Sequence, residues 1–522
     1  MYPDTLLNKI KQNLRQEWRF AFCSAFCMGL LVHFYRLANH LITWDSVYNF
    51  HDSQNKTALG RIFLSLSCGI SSYYDLQWVN GLLSLLYLSL TCVCLTELFS
   101  LRSRTAICLI CGLTVAFPSV AGTFAYMYTA DGYFLAQLTA VLAVLITVRY
   151  RRGFLGGMLL LAFSYGCYQA YISYAVMLIL TWSILRLVWE TDPLKSLFSM
   201  WLRFLIMGAA GTALYLLFVR LLSGLQGIAA SDYNGISDMT LPDGPGILDA
   251  ARNCLIDFAY FFFGPLDRFN LFKLLNLLLF LLLAALSAWL LWKRQLYKTP
   301  GRLGMIFLCF ASMPFVCSMI YFLSPQVRYY MLMYAGFSLL YILPVLLCVP
   351  MSQIPDTNRQ SRQAQADRPV SALILTWSCF LLTAVTVLNF SLIANISYLY
   401  LTSANEKTFA LVGRMTDRIE QLENYETLDK LCIIGHFEDF DTISLNLPPA
   451  MAGVRDSYLI SEQAHFCAMM DTYFGLSLEP CSDEEKSAIQ ASDTFQAMDC
   501  WPAQSSMAAF GDTVVIKIEH AE

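Results

Sequence analysis

A few polar residues interrupt an otherwise apolar chain, and their types set out the chemistry open to it. Asp45 stands beside Trp44 in TWDSVYNFHD, and Asp52 follows seven residues later. Either carboxylate can take a proton from a hydroxyl as general base, and either can simply cap a helix start. Lys56 and Arg61 in HDSQNKTALGRIFLSL, and Arg328 in LSPQVRYYMLMY, offer cations to a phosphate or carboxylate. The competing role for each is snorkelling at a membrane interface. Asp131 lies in TFAYMYTADGYFLAQL with Tyr133 two residues on. An ionisable group at membrane depth is costly and marks a candidate site, here to bind a polar ligand or to pair with an arginine such as Arg61. Tyr168, Gln169 and Tyr171 in YGCYQAYISY can stack on and hydrogen-bond a sugar, or form an interfacial aromatic belt.

Whatever positions these groups is a membrane scaffold. Of 522 residues, 57% are hydrophobic and only 14% charged, against about 25% charged in soluble domains, which excludes a soluble cytosolic enzyme. Runs long enough to cross about 30 Å of hydrocarbon fall at 20–38, 78–100, 105–123, 132–148, 153–168, 171–189, 201–222, 271–292, 303–323, 329–349 and 370–395. Charge divides the chain at the end of the last run. Residues 1–395 carry 27 Lys and Arg against 17 Asp and Glu, a net of +10, whereas residues 396–522 carry 7 against 21, a net of −14. No basic domain or stripe is left for nucleic acid. With the N-terminus cytoplasmic, 19 of the 27 basic residues before 396 fall on that side and 8 outside. This satisfies the positive-inside bias and puts the acidic tail on the outer face.

The expected fold is therefore a polytopic α-helical membrane protein of about eleven spans, residues 1–395, followed by a small extracytoplasmic α+β domain, residues 396–522. In that tail, 405–425 has helical apolar spacing, while LCIIG at 431–435 and DTVVIKIE at 512–519 read as strands. The outer loops 39–77 and 223–270 are long, and 247–263 reads as an amphipathic surface helix; 351–368 reads as a linker. Thirteen of the 17 cysteines precede residue 396 and suit apolar packing. Cys432, Cys467, Cys481 and Cys500 could pair in an oxidising compartment, with no connectivity readable. There is no Walker loop, GxGxxG after a strand or HExxH, and no CxxC pair suggests zinc, so neither cofactor nor metal is expected. A nucleotide-driven pump or cytosolic nucleotide-sugar enzyme is disfavoured, and an activated substrate at the outer rim would arrive attached to lipid.

Several segments together resemble the membrane glucosyltransferases that modify bacterial O-antigens, the Gtr type II group of the GT-C class. They are the Asp-containing first loop with Gly60 and Arg61, WVNGLLSLLYLSL at 78–90, FPSVAGTFAYMYTADGYFLAQLTAVLAV at 117–144, and YGCYQAYISYA at 165–175. The resemblance implies a GT-C-like fold and transfer of a hexose, glucose in this group, from a polyprenyl-phosphate carrier to a cell-surface glycan outside the bacterial cytoplasmic membrane. A flippase and a cytoplasmic polyprenyl-phosphate glycosyltransferase would supply the donor. The family usually carries an acidic pair in its first outer loop. Here Ser46 follows Asp45, which leaves Asp45 and Asp52 both open as the base. Arg61, Arg328 and Lys56 would face the donor phosphate, and Asp131, Tyr133, Tyr168, Gln169 and Tyr171 the sugar. The rival function is a lipid-linked sugar flippase or transporter, which predicts an internal repeat and midplane polar residues. The sequence shows no convincing repeat, and its notable charges lie at the rim.

Overall fold

The computed structural model describes residues 2–190, 193–229, 245–264, 270–324, 327–352, 369–435, 448, 451, 459–460 and 462–518. It separates into two compact units, 1–38 with 53–395 and 445–451, and 39–52 with 396–444 and 452–522. The first long loop is thus divided between them. The linker 353–368 lies outside the described residues.

The first unit is a bundle of apolar helices. Among the described residues nine helices are long and apolar enough to cross a membrane, or ten if one bent pair is a single span. The bent pair is Arg104–Ala116 with Pro118–Phe124, turned by 41°. Its cause is local: Pro118 opens the second helix and disfavours helical backbone at Phe117, which has φ −53° and ψ 138°. The run at 153–168 falls short of a span. It folds as Gly153–Cys167, 15 residues, about 22 Å at 1.5 Å per residue. The segment 247–263 is helical, as Pro245–Phe263, and packs on Pro300–Cys317 and Leu271–Lys293.

Basic residues gather at one end of this bundle, where they cap helix C-termini. Glu97 accepts from Arg15 Nη1 at 2.8 Å and Trp18 Nε1 at 3.1 Å and pairs with Arg149 at 3.3 Å. Arg203 donates to Thr147 O and Tyr150 O, Arg294 to Trp189 O, and Arg302 to Leu187 O. Cationic groups at the negative helix ends are the favourable arrangement. Within this unit Arg61 lies toward the other ends of these helices, on Tyr133 near the start of Met127–Arg149 and on Tyr168 just after Gly153–Cys167.

Val370–Glu420 is one helix of 51 residues, about 76 Å long, so the last apolar run and the 405–425 pattern are continuous rather than separate elements. No Gly or Pro between Asn395 and Thr408 breaks it. In the second unit its later turns carry a four-stranded sheet in the order β2, β1, β4, β3, where β1 is Lys430–Ile434, β2 Glu479–Pro480, β3 Met507–Phe510 and β4 Thr513–Lys517. β1 runs parallel to β2 and β4, and β3 is antiparallel to β4. Cys432, Ile434, Phe495, Met498 and Val515 form its core. Phe409 packs on Tyr473 and Phe474, and Arg418 stacks over Trp501 at 4.5 Å. All four tail cysteines are free thiols.

Asn405 fixes residues 39–52 to this helix. Its Oδ1 accepts from Ile42 N at 3.0 Å, and its Nδ2 donates to Ile42 O at 3.0 Å and Leu401 O at 2.7 Å. Replacing Asn405 by leucine orphans both Ile42 backbone groups at about 1–3 kcal/mol each. Limited proteolysis is expected to cut near Ile42 faster in that variant.

Candidate functional site

The first unit builds an arginine seat from three stretches of chain. Residues 56–61 close into a tight turn in which Arg61 N donates to Lys56 O at 3.2 Å. Gly60 takes φ +69°, a left-handed conformation that suits glycine. A Cβ there would lie 2.6 Å from Tyr215 Oη and 2.8 Å from Gln169 Nε2. Those two groups clamp the turn: Gln169 Nε2 donates to Leu59 O at 2.8 Å and Tyr215 Oη to Gly60 O at 3.2 Å. Phe63 N further ties the loop to Gly166 O at 2.8 Å. Gly60→Ala is therefore expected to displace the turn and lower activity about tenfold or more, from strain of about 1–3 kcal/mol plus the clash. Tyr215→Phe, which removes one hydrogen bond, is expected to cost less; turnover per folded molecule separates the two.

The clamped turn delivers Arg61 onto two tyrosines. Tyr133 and Tyr168 stack at 4.4 Å with 24° between their planes. The Arg61 Cζ lies 5.1 Å from the Tyr168 ring and 5.9 Å from that of Tyr133, and Nη1 donates to Tyr133 Oη at 2.9 Å. Cation–π attraction and the hydrogen bond to Tyr133 orient the guanidinium. The tyrosines are only 4% and 6% exposed, so their faces serve Arg61 and offer little area for stacking a sugar. Gln169 likewise spends its amide nitrogen on the loop. Tyr171 is buried, edge-on to Tyr168. Of these four, all expected to face the sugar, Tyr133 and Tyr168 thus contact Arg61, Gln169 contacts its turn, and Tyr171 packs on Tyr168.

Asp131 is not part of that seat. Residues two apart on a helix do not face each other, and Asp131 is turned from Tyr133 toward Ser71 and Tyr87. It is 1% exposed, and neither carboxylate oxygen has a hydrogen-bond partner among the described residues; Ser71 Oγ donates to Cys68 O at 2.9 Å instead. The expected Arg61–Asp131 pair does not form. Gly132, between them, lets the Leu64–Cys68 helix approach, since a Cβ would lie 2.9 Å from Leu64 Cδ1.

A second polar cluster of this unit escaped the sequence reading. Asp257, half-buried on Pro245–Phe263, accepts from Ser318 Oγ and Tyr334 Oη. Tyr321, Tyr329 and Tyr334 stand in series, with ring centroids 4.8 and 5.5 Å apart. Burial pushes the Asp257 carboxyl above its usual range, while the two hydroxyls hold it down. Arg328 is exposed beside this cluster and stacks on Tyr330 at 5.5 Å. The 3-10 helix Met331–Phe337 that carries Tyr334 also packs on Pro118–Phe124 and Tyr171–Trp189.

Asp45 and Asp52 belong to the second unit. Thr43 and Ser46 form a capping box that starts the short helix Trp44–Tyr48. Asp45 thus lies in the first turn, half-exposed, with its backbone carbonyl accepting from Asn49 Nδ2 at 2.6 Å. Tyr48, one turn on, packs its ring 5.2 Å from that of His465. Asp52 is half-buried beyond the helix.

Residues 34–253 match the family model of the glucosyl transferase GtrII. The chain carries a GtrII glucosyl transferase domain. Over that span the chain is similar to membrane glucosyl transferases, and the matched residues take in both halves of the first loop, the Arg61 seat, Asp131 and Tyr215. The GtrII match ends four residues before Asp257 and does not reach Arg328 or the tail. No curated protein and no solved structure matches the chain.

Proposed function

We propose that this GtrII enzyme moves glucose from a polyprenyl-phosphate carrier to a cell-surface glycan on the outer side of the bacterial cytoplasmic membrane. The Arg61 seat is the observation that supports this reading most. A guanidinium oriented by stacked tyrosines at the ends of apolar helices suits a phosphate whose lipid lies in the bilayer, and phosphate is the leaving group of such a donor. A fixed cation there stabilises the charge that develops as the bond to the anomeric carbon breaks. Arg328 and Lys56 are further cations for the same headgroup. The acceptor hydroxyl attacks as it gives up its proton to a first-loop carboxylate, Asp45 or Asp52, and single displacement inverts the anomeric centre. A flippase and a cytoplasmic enzyme that charges the carrier would supply the donor.

The test uses the full chain in lipid nanodiscs, polyprenyl-phosphate glucose labelled in the sugar, and polysaccharide from the envelope of the source cell. Label transferred to polysaccharide with an inverted linkage is the expected result. Lipid scrambling without transfer would overturn the reading in favour of a lipid-linked sugar flippase.

A further inference from the structure

The sheet of the second unit brings two cysteines side by side. β1 runs parallel to β2 with Leu431 opposite Pro480, so the next residue of each chain segment, Cys432 and Cys481, stand opposite one another. Backbone bonds bracket that position. Cys481 N donates to Leu431 O at 3.0 Å, and the Gln463 amide joins the other side, its Nε2 donating to Cys481 O at 3.1 Å and its Oε1 accepting from Ile433 N at 3.0 Å. Neighbouring strands lie about 4.8 Å apart, inside the range of about 4.4–6.8 Å that a disulfide spans between Cα atoms. Both side chains also take the same face: Cys432 is fully buried in the core with Ile434, Phe495, Met498 and Val515, and Cys481 packs against that cluster. Cys481 is half-buried, with Gln463 Nε2 3.4 Å from its sulfur. The other two tail cysteines lie off these strands, Cys467 on Gln463–Met469 and Cys500 next to Trp501, whose N–H donates to Lys517 O at 2.8 Å.

We propose that Cys432 and Cys481 are a site of oxidative modification, joined in the mature protein as a disulfide that clamps β2 to β1. The two thiols of this structure are its reduced form. The inference rests on the outward placement of the tail, because disulfides persist in an oxidising compartment. The oxidant is a protein disulfide of that compartment. The Cys481 thiolate attacks one of its sulfurs and releases the other as a thiolate; the Cys432 thiolate then attacks the Cys481 sulfur of the mixed disulfide and releases the second. Two electrons and the two cysteine protons thus pass to the oxidant, which leaves as a dithiol. Burial, and then the neighbouring Cys481, push the Cys432 thiol up, so exchange begins at Cys481, the sulfur nearer the surface. The bond is well placed to matter. β2 is a two-residue strand at the sheet edge, and the Gln463 amide that bridges the two strands opens the helix Gln463–Met469, which packs against Trp44–Tyr48, the helix of Asp45.

The experiment uses full-length protein whose free thiols are blocked with iodoacetamide at lysis, without reductant, and maps cysteines by mass spectrometry after digestion. A peptide joining Cys432 to Cys481, with Cys467 and Cys500 alkylated, is the expected result. Reductant is expected to lower the thermal midpoint of the bonded wild type by about 5–10 °C, the scale for opening a loop of roughly 50 residues, and to leave the Cys432→Ser/Cys481→Ser double variant unmoved. Cys481 joined to Cys467 or Cys500 would overturn the proposal. If all four are alkylated, a second arm treats the reduced protein with oxidised glutathione. A Cys432–Cys481 bond formed there but absent from cells would overturn the outward placement of the tail and the oxidation with it; no bond in either arm would overturn the pairing itself. A midpoint that reductant does not move, in protein shown to be bonded, would overturn the clamp.

Discussion

Arg61→Ala is expected to lower glucosyl transfer by about 10²–10³-fold, the scale seen when one preorganised group is removed from a developing oxyanion. The loss should appear in kcat, since the charge that Arg61 meets grows as the phosphate leaves. Arg61→Lys is expected to recover less than tenfold of it. An ammonium keeps the charge but lacks the planar guanidinium that lies over the Tyr133 and Tyr168 rings and donates to the Tyr133 hydroxyl. Tyr133→Phe removes the 2.9 Å hydrogen bond and leaves both rings, so a fall of only a few fold is expected there. Steady-state kinetics with the labelled donor in nanodiscs decides the series. Arg61→Ala within threefold of wild type would take the phosphate role away from Arg61 and leave Arg328 to be tested.

That ordering depends on groups the sequence did not point to. Gly60 and Arg61 were legible as a pair, whereas 105–123 reads as one span although Pro118 restricts the residue before it and the helix bends there by 41°. The clamp was not legible, because Tyr215 lies on a 33-residue apolar helix and meets Gly60 across 155 positions of chain. Nothing in the local pattern of that helix distinguishes Tyr215 from an interfacial aromatic. Asp257 was hidden in the same way. Its segment reads as an amphipathic helix, and its partners Ser318 and Tyr334 come from 61 and 77 residues away. The tyrosines of YGCYQAYISY were found for their sugar chemistry, yet packing turned Tyr168 inward against Tyr133, which period and composition do not report. Hydropathy served best where one physical term dominates, in the long spans, and failed at 153–168, where apolar character exceeded length. In the tail, the helical pattern and both strands were visible, but the join at Asn395 to Thr408 required noticing that nothing there stops a helix.

Asp131→Asn is expected to separate stability from activity. A carboxylate that is 1% exposed and has no hydrogen-bond partner among the described residues is a standing cost to the fold, since a charge taken out of water is repaid only by partners. The amide is nearly isosteric and cannot ionise, so the substitution should not lower stability, read as an unchanged or higher thermal midpoint of the purified enzyme in detergent. Transfer is expected to fall at least tenfold, because a costly buried group is retained where function uses it. Asp131 lies near the N-terminal end of Met127–Arg149, where the helix dipole favours negative charge, and a polar group of the substrate that reached it would supply the missing partner. The two readouts together are what matter. Loss of both stability and transfer would make Asp131 a structural anchor through Ser71. A stabilised variant with unchanged transfer would remove it from the site altogether.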